Sequence, residues 1–82
     1  MMTRYKIGQT AICAKFDEHK QVGAIYEVTI ERVYYDFKGS YIAYEVTYDG
    51  YEAIVHEEYL FSTEELAFNY LQTRRKESLY GG

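Results

Sequence analysis

The 82-residue sequence predicts a mainly β fold: a small antiparallel β-barrel or half-barrel of four to five strands, with one C-terminal α-helix. Three observations carry this expectation. Between about residues 10 and 56, short segments alternate apolar and polar side chains with the period of a strand. An Asp49-Gly50 pair lies between two such segments, where a two-residue hairpin turn belongs. Finally, Ser62-Thr63-Glu64-Glu65 opens a stretch with helical spacing. Eleven tyrosines and no proline agree with a β-rich chain, because tyrosine favours half-buried pleated positions.

A chain of this size buries only about 60–65% of its unfolded surface, which leaves room for one thin core. The expected organisation is a single domain over residues 1–82, with the barrel at about 5–61, the helix at about 63–77 and a frayed tail at 78–82. The lead-in Tyr5-Lys6-Ile7-Gly8-Gln9 should turn at Gly8. Thr10 to Phe16 is apolar on both parities around Ala11-Ile12-Cys13-Ala14, so it reads as a strand buried on much of both faces. Asp17 to Gln21 is a polar loop ending near Gly23. A long strand follows from about Ala24 to Asp36, with Tyr26, Val28 and Ile30 on one face and a blurred pattern near Glu31 and Arg32 that suggests a bulge.

Asp36-Phe37-Lys38-Gly39-Ser40 has the form of a three-residue hairpin loop, with Gly39 at the left-handed position. That loop would set Tyr35 opposite Tyr41 and Val33 opposite Ala43. The Asp49-Gly50 turn in turn sets Tyr48 opposite Tyr51, Val46 opposite Ala53, Tyr44 opposite Val55 and Ala43 opposite His56. Ser62 is the expected helix cap, answered by Glu65, with Phe61 and Leu66 as a hydrophobic staple. Leu66, Ala67, Tyr70 and Leu71 then form one apolar stripe, and Arg74-Arg75-Lys76 fall in the last turns, where they suit the helix dipole.

Nine basic and thirteen acidic side chains give a net charge of −4, the opposite of the basic excess a duplex-binding module usually carries. The one basic cluster is Arg74-Arg75-Lys76. A single cysteine, Cys13, excludes an intramolecular disulfide and reads as a packing residue. No apolar run approaches the about 18–20 residues of a membrane span, and no apolar leader follows Met1, so a cytoplasmic location with no membrane contact is expected. Cys13, His19 and His56 lack paired metal-ligand spacing, so no metal or other cofactor is expected. Glu57-Glu58 and Glu64-Glu65 are adjacent pairs without the setting of catalytic carboxylates, and Ser62 is explained as a cap. No catalytic residue is therefore assigned. The terminal Gly81-Gly82 reads as a flexible end.

Lys6-Ile7-Gly8, Ile12, the Gly23 to Ile30 strand, Tyr44 to Val46 and Leu60-Phe61-Ser62-Thr63-Glu64-Glu65-Leu66 together resemble the small SH3-like barrels, including their Tudor and KOW-type variants. More narrowly, the chain looks like short uncharacterised bacterial or phage proteins built on such a barrel, over roughly residues 6 to 72. The resemblance implies a small SH3-like antiparallel barrel or half-barrel that binds rather than catalyses. The chain lacks tryptophan and proline, which departs from the domains that take proline-rich peptides.

The expected function is a non-enzymatic interaction module that binds a protein partner or itself through a tyrosine-rich sheet face. The expected register gives the outer face an aromatic-apolar end of Val33, Tyr35, Tyr41, Ala43 and His56, and an acidic end of Glu31, Glu45 and Glu52. The alternative is a nucleic-acid-linked role, either Tudor- or KOW-like binding or acidic mimicry that inhibits a nucleic-acid-binding protein.

Overall fold

A computed structural model describes residues 3–35, 38 and 40–80. Its elements are β1 (Thr10–Asp17), β2 (Val22–Tyr35), β3 (Ile42–Tyr48), β4 (Tyr51–His56), a 3-10 turn (Glu57–Tyr59), β5 (Leu60–Phe61) and α1 (Glu64–Tyr80). All five strands are antiparallel in one sheet ordered β4-β3-β2-β1-β5. The mainly β architecture with one C-terminal helix is thus the expected one. The sheet is not closed: β4 and β5 remain its two edges.

The Asp49-Gly50 turn fixes the β3-β4 hairpin. Both residues have positive φ, at 47° and 80°, as a type I′ turn requires. The register matches expectation, with Tyr48 opposite Tyr51 and Ala43 opposite His56. This places Tyr44, Val46 and Val55 on the face that joins the main core with Val28, Ile30 and Leu60. The lead-in turns at Gly8, and its backbone exchanges hydrogen bonds with Ile30 through Gly8 N–H and Gln9 C=O. That crossing lays Tyr5 against the core, where it is buried edge-to-face on Tyr44.

β1 has two buried faces. Ala11 and Cys13 enter the main core, while Ile12 and Ala14 point to the other side of the sheet. There α1 covers them with Ala67 and Leu71, flanked by Phe16, Ile25, Phe61 and Tyr70. Leu71 lies directly over Gly23, where a Cβ would stand 2.9 Å from its Cδ1. The absence of a side chain at Gly23 is what lets the helix lie this close.

The structure departs from the sequence expectation in three details. The bulge expected near Glu31 and Arg32 is present, between Ile30 and Arg32. Before it, Thr29 faces Thr47 and Ile30 faces Val46, which continues the expected register. After it, the extra residue shifts every pair by one: Val33 faces Tyr44, Tyr34 faces Ala43 and Tyr35 faces Ile42. The hairpin loop proper, with Asp36, Phe37 and Gly39, lies outside the described residues, as do Gly81 and Gly82.

The second correction is the cap. Thr63, not Ser62, caps α1, its Oγ1 accepting from the Leu66 N–H at 3.2 Å. The frame therefore starts one residue later, which removes the Ser62–Glu65 box and the Phe61–Leu66 staple. Leu66 turns outward at 49% exposure, and Phe61 packs on Tyr70 instead. Thirdly, α1 continues to Tyr80, so Ser78 and Leu79 are helical, and Arg74-Arg75-Lys76 do not occupy its last turn. Contacts with the β1-β2 turn hold this extension. Arg74 pairs with Glu18 at 2.6 Å, and Ser78 Oγ accepts from Gln21 Nε2 at 2.6 Å.

Candidate docking surface

The bulge decides which side chains share the outer face of the β2-β3-β4 end. Arg32 and Tyr34 lie opposite Glu45 and Ala43, and β4 adds Glu52, Ile54 and His56. Of the expected aromatic-apolar set, Tyr41, Ala43 and His56 come together here. Val33 and Tyr35 turn instead toward the core side, opposite Tyr44 and Ile42. Val33 packs against the main core, while Tyr35 is exposed near the strand end. Tyr34 takes their place outside. The sequence expectation missed it because the assumed three-residue loop set Tyr35 opposite Tyr41, one residue short of its observed partner Ile42.

Aromatic rings form a continuous row across this surface. Tyr41 meets His56 edge-to-face at 4.4 Å, His56 meets Tyr59 at 6.4 Å, and Tyr59 meets Tyr70 of α1 at 6.1 Å. Edge-to-face contacts satisfy the ring quadrupoles and hold the rings in fixed orientations. Tyr34, Tyr41 and Tyr59 remain 39%, 41% and 38% exposed, and Ile54 is 64% exposed. Burial pushes the Tyr70 hydroxyl above the usual tyrosine range, so that end of the row is the least hydrated. Tyr59 and Ile54 were not assigned by sequence. Their signal is weak: Tyr59 sits in a link, and Ile54 reads as an ordinary strand residue.

The helix does not cover this surface. It packs on β1, β2 and β5, at the opposite end of the same outer face, and touches the row through Tyr70.

The acidic residues are spread among partners. Glu31 Oε1 accepts from Thr47 Oγ1 at 3.0 Å, and Arg32 pairs with Glu45 at 3.4 Å. Arg32 therefore sits inside the set Glu31, Glu45 and Glu52 and offsets its charge. The basic cluster is also engaged, because Arg74 lies over the Phe16 ring and bonds Glu18 and Glu77. Among the described residues, no three His, Cys, Asp or Glu side chains come together as a metal site. Cys13 is buried in the core, which pushes its thiol upward and keeps it protonated. Among the described residues, no helix is long and apolar enough to cross a membrane.

No family model, curated protein or solved structure matches the chain.

Proposed function

We propose that the protein is a non-enzymatic interaction module that docks a protein partner through the outer face of its β2-β3-β4 end. The observation that carries this reading is the ordered aromatic row, with Tyr34, Tyr41, Ile54 and Tyr59 left exposed around His56 while the helix is spent on the other end. Tyrosines already held in place give contact area at small entropic cost, which is what a docking surface needs. The scaffold is read as an open relative of the small SH3-like barrels. Its five antiparallel strands in one sheet, followed by a C-terminal helix, support the kinship. The pairing of Arg74 with two glutamates, together with the net acidic charge, favours a protein partner over nucleic acid.

The test is site-specific photo-crosslinking in cells. A photoreactive side chain at position 34 or 41 should capture a discrete protein partner, and the same group at Gln72 on the helix should not. Tyr34→Ser with Tyr41→Ser should then weaken binding of that partner about tenfold or more while the fold persists. Equal capture from both surfaces, or capture from neither, would remove this face as the docking site.

A further inference from the structure

We propose that one partner is a second copy of this chain, paired edge to edge along β4 about a two-fold axis at Ile54. This rests on the reading of the protein as an interaction module and names its partner.

β4 ends the sheet, and no other described strand pairs with its outer side. In a two-residue hairpin the pair flanking the turn exchanges both backbone hydrogen bonds, and pairs alternate from there. Tyr51, Ala53 and Val55 therefore bond to β3, and Glu52, Ile54 and His56 aim their N–H and C=O groups outward. Natural edges are usually blunted with lysine, proline or a bulge. β4 reads Tyr-Glu-Ala-Ile-Val-His and pairs regularly along its whole length, so it has no lysine, proline or bulge, and Glu52 is its one carboxylate. The free part of β1, by contrast, carries Lys15 and Asp17. Across a groove of about 930 Å³ the β4 edge faces β1 of the same chain, with Ile54, Val55 and His56 in one wall and Lys15, Phe16 and Asp17 in the other, and a strand added to β4 enters this groove.

Self-complementarity selects the occupant. For two sheets to continue as one, residues on the same face must oppose each other, so residue 54 can face 54 of the second copy. Glu52 then faces His56 of the second copy, and His56 faces its Glu52. Two exposed isoleucines meet at the centre, flanked on both sides by a carboxylate against an imidazole. Histidine donates a hydrogen bond to a carboxylate in either protonation state. The same register brings the outward backbone groups of Glu52, Ile54 and His56 into bonding pairs. A contact of one strand per chain lies at the small end of specific interfaces, so the dissociation constant belongs in the micromolar range.

The experiment is sedimentation equilibrium on the intact protein, joined to a charge exchange. The wild type should form a dimer with rising concentration. His56→Glu sets carboxylates against carboxylates and should weaken it about tenfold or more, as should Ile54→Lys. Glu52→Lys combined with His56→Glu restores opposite charges and should return the affinity to within about threefold of wild type. Thermal melts in dilute solution verify that each variant still folds.

A thiol cross-link fixes the register. In Ile54→Cys the two Cα atoms would lie about 5.5 Å apart and a short bis-maleimide should join them. In His56→Cys they would lie about 14 Å apart and it should not. The unsubstituted chain, whose Cys13 is buried, is the control. A monomer at about 1 mM, a charge exchange that fails to restore pairing, or coupling through position 56 in preference to 54 would each overturn the β4 dimer. Capture of another protein from position 34 in that event leaves the docking module standing and removes only the second copy as its partner.

Discussion

Tyr44 and Glu57 are joined by a short hydrogen bond, the phenol donating to Glu57 Oε2. The Tyr44 ring is fully buried. Its oxygen also accepts from the Tyr5 N–H at 3.4 Å, and Glu57 Oε2 accepts from the Arg4 N–H at 3.2 Å. One buried phenol thus ties the lead-in, β3 and the turn before β5 into a single joint. None of these residues looked special in sequence, since Tyr44 read as core and Glu57 as part of a link.

Tyr44→Phe keeps the ring and removes the joint. It leaves Glu57 without its phenol donor and the Tyr5 N–H without an acceptor, and should cost about 1–3 kcal/mol. Urea denaturation measures this directly. An unchanged midpoint would mean that the joint adds nothing to stability.

The same phenol makes the fold sensitive to alkali. Burial, and then the bond to Glu57, push the Tyr44 hydroxyl up to about 12. Burial raises Tyr5, Tyr70 and Cys13 in the same direction. The folded state holds these protons more tightly than the unfolded chain, so the tyrosine contribution is fully present below pH about 10 and declines as pH rises toward 12, and that of Cys13 begins to decline from about pH 9. Melting temperature should fall across that window, with Tyr44 contributing on the order of 2 kcal/mol. Tyr44→Phe should flatten the fall. A flat profile in the wild type would contradict the assigned burial.

Helix capping separates two adjacent hydroxyls. Thr63→Ala should cost about 1 kcal/mol, because it removes the acceptor for the Leu66 N–H. Ser62→Ala should fall within about 0.5 kcal/mol, as for a surface change away from any cap. Equal losses in thermal unfolding would put the helix start back at Ser62.

Gly23 and Leu71 should behave as one unit. Gly23→Val drives a branched side chain into the Leu71 methyls and should cost about 1–3 kcal/mol by overpacking. Leu71→Ala should cost about 2–5 kcal/mol by leaving a cavity. The double variant should cost clearly less than the two together, because each change relieves the other. Strict additivity would show that the helix does not rest on this strand.

The Asp49-Gly50 hairpin was readable to the residue because both its turn positions need positive φ, which pins the parity of every pair beyond them. The β2-β3 pairing was readable only as far as Ile30. The blurred pattern at Glu31 and Arg32 announced the bulge, but beyond it the register rested on an assumed three-residue loop, and Tyr35 pairs with Ile42 rather than Tyr41, which puts Val33 and Tyr35 on the other face. The helix was recognisable, but Ser62 and Thr63 are both good caps, and hydroxyl chemistry alone does not choose between them. Where the stripe docks was hidden in Gly23, whose meaning lies in a residue 48 positions away. The Tyr34 to Tyr59 surface followed from the bulge and from the helix docking elsewhere, both of which are tertiary facts.

The two-sided burial of β1 has a consequence for the order in which the protein is made. Synthesis delivers β1 and β2 first and α1 last among these elements. Until α1 emerges, Ile12, Ala14, Phe16 and Ile25 have no cover on the helix side. A nascent sheet can pair its strands and close over Tyr44 while that side still faces water. A released chain that ends at Phe61 should therefore expose this apolar side and aggregate more readily than the full chain. Stabilising α1 would shorten nothing about that exposure, since the interval is set by translation rather than by helix strength.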